Sequence, residues 1–418
     1  MTRITPDLLS QIRARFAQVE ACPEQGERVF FENAGGALTL KSVVETSTRY
    51  AAIPDNQGRD NPGSHALVRT IASAREDMAA FMNAPGGQFF VGESGTELLF
   101  RLIMNICLGV GQGNGIVLGT TLEHPATRSA AARWARVAGL EHVLVAHDDA
   151  TGTVGAEAYA AAVTADTRVA TIVHTSPVTG MGVDVASVVD AIRAVAPECF
   201  VIIDGIQHAA HGRIDLTAYG ADGYVISPYK VFSRHGYGVA WISDRLTALP
   251  HDSLIGGPED NWEMGTRDTG AYATMSDVVG YFEWLGGQVS DATDRRSKFV
   301  AAGEAIHAQE AALCHAMIHG TGNLPGLAEM EKVTIIGGID NPAREGLASL
   351  VVDGVPSVEV VARLNAEGIR THLRKDDHYS GNILTPLGLD SCVRVSMCHY
   401  NSVQEVAKFL EVMKRITG

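Results

Sequence analysis

Two short segments bring together residue types that can do chemistry: Asp204-Gly-Ile-Gln207 and Ser227-Pro-Tyr-Lys230. Each follows an apolar run, Phe200-Val-Ile-Ile and Gly223-Tyr-Val-Ile, which places a carboxylate and a lysine at or just past two strand ends. A lysine can hold an aldehyde cofactor as an imine. A carboxylate facing a pyridine nitrogen keeps that ring protonated and able to accept electrons. Pyridoxal 5′-phosphate (PLP) chemistry needs both. Gln207 is a candidate donor to the ring hydroxyl oxygen. The bland reading of the same segments is a turn aspartate and a solvated lysine.

Gly92-Glu-Ser-Gly-Thr-Glu97 opens a helical run over Leu98–Leu108. Free N–H groups and the dipole of a helix start suit a phosphate, with Gly95 and Thr96 as donors. The competing reading is an ordinary cap, with Ser94 as N-cap and Glu97 completing a capping box. Glu123-His124-Pro follows the strand-like Gly115–Gly119, where an imidazole can stack on an aromatic cofactor or serve structure alone. Gly109-Val-Gly-Gln-Gly-Asn-Gly115 precedes a strand and lacks the GxGxxG spacing, so it is not a dinucleotide fingerprint.

The elements that must position these residues are legible as apolar runs. Gly115–Thr120, His142–Ala146, Arg168–His174, Phe200–Asp204, Gly223–Ser227 and Gly238–Ser243 read as strands. Pro125–Val137, Gly155–Val163 and Asp184–Val195 read as helices, with Asp184 an N-cap. Such alternation implies an α/β fold with a mostly parallel sheet covered on both faces. Ligands bind such sheets beyond the carboxyl ends of the strands, where His174, Asp204, Ser227 and Lys230 fall. After Gly286 the pattern changes. A helical stretch from Ser290 to about Ile318, strands at Val333–Ile336, Ala348–Val352 and Val393–Ser396, and helices at Ser357–Asn365 and Ser402–Arg415 predict a smaller α+β C-terminal domain. The expected division is 1–28 as a helical segment belonging with the small domain, 29–286 as the large cofactor-binding domain, and 287–418 as the small domain.

The chain has 418 residues, 46% hydrophobic and 19% charged, enough for more than one buried core. Its formal net charge of −15 argues against nucleic acid or an anionic membrane as partner. Positive charge for an anionic ligand must therefore be local. The cysteines (Cys22, Cys107, Cys199, Cys314, Cys392 and Cys398) form no CxxC pair and no zinc-ligand spacing, so no metal site is expected and a reducing compartment is. The opening MTRITPDLLSQIRARF lacks a long apolar core, and no run reaches the roughly 18 apolar residues of a membrane helix. The expectation is a soluble cytoplasmic protein.

Taken together, the order and spacing of these segments, from Phe31-Glu-Asn-Ala-Gly-Gly36 to Arg394-Val-Ser-Met-Cys-His-Tyr-Asn401, resemble the class V aminotransferase and cysteine desulfurase branch of the fold-type I PLP enzymes. The resemblance spans nearly the whole chain and implies a large domain with a seven-stranded, mostly parallel sheet. It implies Lys230 as the lysine that carries PLP, Asp204 and Gln207 as the acid and amide of a "DGAQ"-like motif, and His124 as the ring-stacking histidine. Gly95, Thr96 and Ser227 match phosphate ligands. Glu263-Met-Gly-Thr266 resembles an "EAGT" loop whose threonine reaches the neighbouring subunit's cofactor, which implies a homodimer with shared active sites. Arg394 matches the arginine for the substrate carboxylate, a task suited to bidentate guanidinium pairing. Asn33, Gly35 and His65 are implied to border an amino-acid substrate.

The sequence also departs from that pattern. Where desulfurases carry a mobile cysteine, Asp376-Asp-His-Tyr-Ser-Gly381 has no thiol, while Cys392 and Cys398 flank Arg394 on or beside its strand. Tyr229 replaces the family's histidine before the lysine, and Ser176-Pro177-Val-Thr-Gly replaces "SNVTG", as in isopenicillin-N-epimerase-like enzymes. The expected reaction is removal of the substrate α-proton by Lys230 and loss of a β-substituent, that is, a C–S (β-) lyase. The alternatives are an epimerase, an aminotransferase, and a catalytically silent PLP-fold regulator. Loops at 55–65, 234–237, 259–262 and 374–382 are expected to select the side chain. Arg234, His235, Arg374 and Lys375 on them are either solvated charges or a site for a second acidic group.

Overall fold

A computed structural model describes residues 3–110 and 113–418. Gly111 and Gln112, within the rejected glycine-rich run, lie outside the described residues, as do Met1 and Thr2. The large sheet has seven strands: β1 (Gln88–Gly92), β2 (Ile116–Thr120), β3 (Glu141–Val145), β4 (Thr167–Val173), β5 (Phe200–Asp204), β6 (Gly223–Ile226) and β7 (Gly238–Ile242). Their spatial order is β1-β7-β6-β5-β4-β2-β3, and β7 alone runs antiparallel to its neighbours. The mostly parallel α/β sheet expected from the sequence is present. Strand β1 supplies a member that the run Gln88-Phe-Phe-Val-Gly had not declared.

Period-two alternation sends the side chains of each strand into two separate cores. On β5, Val201 and Ile203 enter one core while Phe200 and Ile202 enter the other. The first core is completed by helices Lys41–Ala51, Pro62–Met82 and Thr269–Val289, the second by Gly95–Gly109 and Pro125–Ala138. Both faces are dry, so polar residues concentrate where the strands end.

The smaller unit has an antiparallel sheet of β8 (Val333–Ile335), β9 (Leu347–Val352), β10 (His372–Lys375) and β11 (Ser391–Ser396), in the order β8-β9-β11-β10. Val393 and Val395 pack against helices Ser357–Ala366 and Val403–Thr417. Arg394 projects from the opposite face.

Packing does not divide where the sequence pattern changes. The expected boundary at 286/287 falls inside the helix Thr269–Val289, and a break at Ser290 separates it from the helix Arg295–His319. That second helix belongs to both units: Phe299, Ala302 and Ile306 join the large core, and Leu313, Cys314 and Met317 join the small one. The N-terminal helix Pro6–Arg15, expected with the small domain, buries Leu8 and Ile12 in the large core. Its Arg13 Nη1 also donates to the Tyr400 carbonyl at 2.7 Å and pairs with Glu405 at 3.2 Å. Conversely, Val29 and Phe31 lie in the small core, and Val29–Phe30 pairs in parallel with Ile369–Arg370.

Candidate active site

Asp204 closes β5 and is 3% exposed. Its Oδ2 accepts from the Thr127 hydroxyl at 3.0 Å and its Oδ1 from the Ile206 N–H at 3.1 Å. Thr127 is held by the first turn of helix Pro125–Ala138, which His124 caps by accepting from the Ala126 N–H at 3.2 Å. Burial raises the Asp204 carboxyl above its ordinary range, against the pull of both hydrogen bonds. A protonated pyridine nitrogen opposite it would restore the carboxylate. Burial pushes the neighbouring Glu123 up to about 8, so at neutral pH it is mostly uncharged.

Lys230 ends the short turn Pro228–Lys230 that follows β6. Its Nζ donates to Gln207 Oε1 at 3.2 Å. Burial first, and then the nearby Arg394 guanidinium, lower the amine to about 7. The Gln207 amide nitrogen faces His211 Nε2 at 3.1 Å, and His211 Nδ1 meets Glu310 at 2.7 Å. Among the described residues, the ligand atoms of His211, Glu310 and Cys398 lie within 4.8 Å of one another; Glu310 Oε2 bonds His211, and Glu310 Oε1 is buried without a partner.

Thr96, His124, Asp204, Gln207, Ser227 and Lys230 line one cavity of about 390 Å³. Gly95 belongs to its wall. A Cβ there would sit 2.5 Å from Ser227 Oγ and 2.6 Å from Ile206 Cδ1, so the helix start and the Ser227 hydroxyl approach as closely as a bare glycine allows. Ser94 caps the helix through the Glu97 N–H at 3.1 Å, while the Glu97 carboxylate bonds the Glu93 N–H at 3.1 Å instead of closing a box. Cap and anion cradle are therefore compatible, because capping leaves the first-turn N–H groups of Gly95 and Thr96 for a ligand. Burial and the charges of Lys230 and Arg374 push His124 down to about 3, which leaves a neutral flat ring suited to stacking.

A second, open chamber of about 1040 Å³ shares His124, Tyr229 and Lys230 with the first and is roofed by the small sheet. Gly35 and Arg394 border it. Arg394 is 2% exposed; its Nη1 donates to the Pro177 carbonyl at 2.8 Å, and its Nε has no partner. Burial lowers its guanidinium to about 9. An unpaired buried cation opening on a cavity is a ready receptor for a carboxylate.

Two expected substrate-bordering residues stand apart from the chamber, and the residue expected to serve a neighbouring subunit lies away from this chain's own cavity. Asn33 is buried, but its amide is consumed within the protein: it donates to the Ser396 carbonyl at 2.8 Å and accepts from the Tyr400 hydroxyl. It fixes the Ala34-Gly35 turn rather than meeting the chamber. His65 is exposed, 3.5 Å from Asp60, and lines neither cavity. Thr266 is also exposed and lines a separate depression with Tyr50, Asp55 and Gln57. His174 is structural, its ring stacked on His208 at 3.5 Å between centroids.

Thr175 and Tyr229 also line the first cavity, and Thr127 supports it through its bond to Asp204; none of the three was singled out from the sequence as a ligand. The loop at the desulfurase cysteine position is tied down: Asn382 Nδ2 donates to the Thr121 carbonyl at 2.6 Å, and Arg128 reaches Asn382 Oδ1 at 3.3 Å. It presents Tyr379 and Ser380 to the chamber. The flanking thiols of Cys392 and Cys398 are buried, and burial raises both, Cys392 to about 11.

A family model described as aminotransferase class-V matches residues 29–409. A probable cysteine desulfurase of Vibrio cholerae is 24% identical over 97% of this chain and 98% of its own. The apo structure of the cysteine desulfurase from Thermococcus onnurineus NA1 superposes with a TM-score of 0.80 at 21% identity, covering 93% of this chain and 94% of that one. The Escherichia coli cysteine desulfurase CsdA gives a TM-score of 0.78 at 20% identity, over 97% and 98%.

Proposed function

From the premise that the chain belongs to the aminotransferase class-V family, whose members are PLP-dependent enzymes, we propose that it is a cysteine desulfurase-like C–S (β-) lyase that works without a mobile cysteine. The observation that carries this reading is the pairing of an intact lysine-and-carboxylate floor with a chamber that, among the described residues, no thiol lines. Gly95, Thr96 and Ser227 would hold the phosphate, His124 one ring face, Asp204 the ring nitrogen, and Lys230 the aldehyde carbon. When bound, the cofactor supplies a ring that accepts electrons from the substrate α-carbon.

Arg394 binds the substrate carboxylate and so orients the α-hydrogen. The Lys230 Nζ, tuned near 7, takes that proton and can return it. Elimination then needs a good leaving group at the β-carbon and no protein nucleophile. Capture of sulfur on this chain needs a thiolate at the chamber, and the two flanking cysteines are sealed away from it. Incubating the holoprotein with L-cysteine, cystine and cysteine sulfinate should release pyruvate and ammonia, or, from cysteine sulfinate, alanine and sulfite, neither of which needs a thiol to accept sulfur. Release of neither from all three overturns the lyase reading, and racemisation of the amino acid instead would install an epimerase.

The exposed Thr266 loop, away from its own Lys230, supports a homodimer in which it reaches the partner's cofactor. Sedimentation should show a dimer. Mixing Lys230→Ala with Thr266→Ala chains should restore sites of one kind that neither variant has alone. Among the described residues no helix is long and apolar enough to cross a membrane, and all six cysteines are free. The free thiols support a reducing, cytoplasmic location.

A further inference from the structure

The roof of the chamber holds more positive charge than one substrate carboxylate needs. Strands β10 and β11 pair antiparallel with His372 opposite Arg394 and Arg374 opposite Cys392. Directly opposed residues share a face, and so do residues two apart on one strand. His372, Arg374 and Arg394 therefore project from the same face, and all three line the chamber above Lys230.

The nearest acids, Glu32 and Asp377, act on Arg394 and Arg374 through space, but among the described residues neither forms an ion pair with them. Glu32 accepts from Arg370 Nε at 2.7 Å and from His372 Nδ1 at 3.0 Å. Asp376 accepts from the Thr385 hydroxyl at 2.7 Å, and Asp377, which also lines the chamber, accepts from the Tyr379 N–H at 2.8 Å. Among the described residues no ion pair within 4.0 Å involves Arg374 or Arg394. Arg374 makes one long hydrogen bond, from Nη2 to the Tyr379 carbonyl at 3.4 Å, and its Nε is buried without a partner, as is the Nε of Arg394.

A protein with a net charge of −15 has acids to spare, yet it leaves two neighbouring guanidiniums unpaired in one cavity. Like charges held together in a partly desolvated place are unfavourable until an anion joins them. Of the other cations that the sequence placed near the site, Arg234 is paired with Asp268, and His235 stacks on Tyr229 at 4.4 Å between centroids. Among the described residues, Arg374 and Lys375 both line the chamber without an ion pair, and of the two Arg374 shares the strand face of Arg394, whereas Lys375 lies opposite Ser391.

We propose that the substrate is an amino acid with a second anionic group on its side chain, a carboxylate or a sulfinate, with Arg394 binding the α-carboxylate and Arg374 the side-chain anion. This rests on the amino-acid reading above and narrows it, because a neutral thiol side chain would leave Arg374 without an anion. A bidentate guanidinium bond matches either oxyanion.

The test is a titration of the bound PLP spectrum with L-aspartate, L-glutamate and cysteine sulfinate against L-alanine and L-cysteine. At least one diacid should bind roughly tenfold or more tightly than L-alanine, the range expected of a charged hydrogen-bonded pair. Arg374→Met should remove that advantage and shift the L-alanine constant by less than about twofold, while Arg374→Lys recovers part of it. Comparison of the three diacids tells a carboxylate from a sulfinate and a short side chain from a long one. Equal affinity for diacids and L-alanine in the unaltered protein overturns the proposal and leaves the amino-acid reading intact. A spectrum that responds to no amino acid sinks the amino-acid reading instead. In that case the thermal stability of the apoprotein with succinate against butyrate still reads the cation pair: greater stabilisation by succinate, lost in Arg374→Met, supports it, and equal effects overturn it.

Discussion

The floor and the roof of the site are built on opposite terms. On the floor, the charged and polar groups that face the first cavity are largely satisfied by the protein: Asp204 by Thr127 and the Ile206 N–H, Lys230 by Gln207, and Gln207 in turn by His211. On the roof, Arg374 and Arg394 are buried at their Nε atoms without partners. A closed network fixes geometry before any ligand arrives, while an open one leaves binding energy to be realised only when the right anion enters. The comparison teaches that cofactor placement here is a property of the fold, and substrate choice a property of unspent charge.

That contrast can be broken at several points. Lys230→Ala should have the largest effect, lowering turnover by about a thousandfold or more and removing the borohydride-fixed PLP label from the peptide that contains residue 230. A label that persists would move the linkage elsewhere. Next is pH. Because the amine is lowered to about 7 and must be neutral to attack the aldehyde, uptake of PLP by apoprotein should rise about tenfold per unit below pH 7 and level off above it. A rise that continues toward pH 10 would mean an unperturbed lysine. Arg394→Gln should cost kcat/KM roughly 10- to 100-fold while leaving PLP affinity within about twofold. The smallest effect belongs to the floor: Thr127→Val removes one bond to Asp204, and turnover should fall up to about tenfold with KM little changed. If Thr127→Val instead moved KM and Arg394→Gln moved PLP affinity, floor and roof would not be separate in function.

The floor was the legible part of the sequence for a physical reason. Asp204 ends one apolar strand, and Ser227 and Lys230 follow another within a single short turn, so the runs that make the strands also place these polar side chains at their ends. His124 and Gly95 were legible because helix starts advertise themselves through caps. The roof depends on pairing between strands distant in sequence. Nothing local to Arg374 says that it shares a face with Arg394; only the register of β10 against β11 does. Asn33 was misjudged because its neighbours belong to the chamber while its own amide turns inward to Ser396 and Tyr400. Thr127 carried a weak signal, its place in the first helical turn after His124. His65 carried little beyond its residue type. The domain limits followed changes in pattern, whereas the cores interleave along the chain.

The helix Arg295–His319 gives that interleaving a mechanical meaning. It plants Phe299 and Ile306 in one core and Leu313 and Met317 in the other without a break between them. At its start a glycine seals the joint, since a Cβ on Gly286 would lie 2.0 Å from the Lys298 carbonyl oxygen. Loss of either core strips apolar cover from the same rigid rod, so the two units cannot melt independently. Denaturation should pass through one transition reported alike by tryptophan fluorescence and by helical signal, and a cut within this helix should cost both halves their fold.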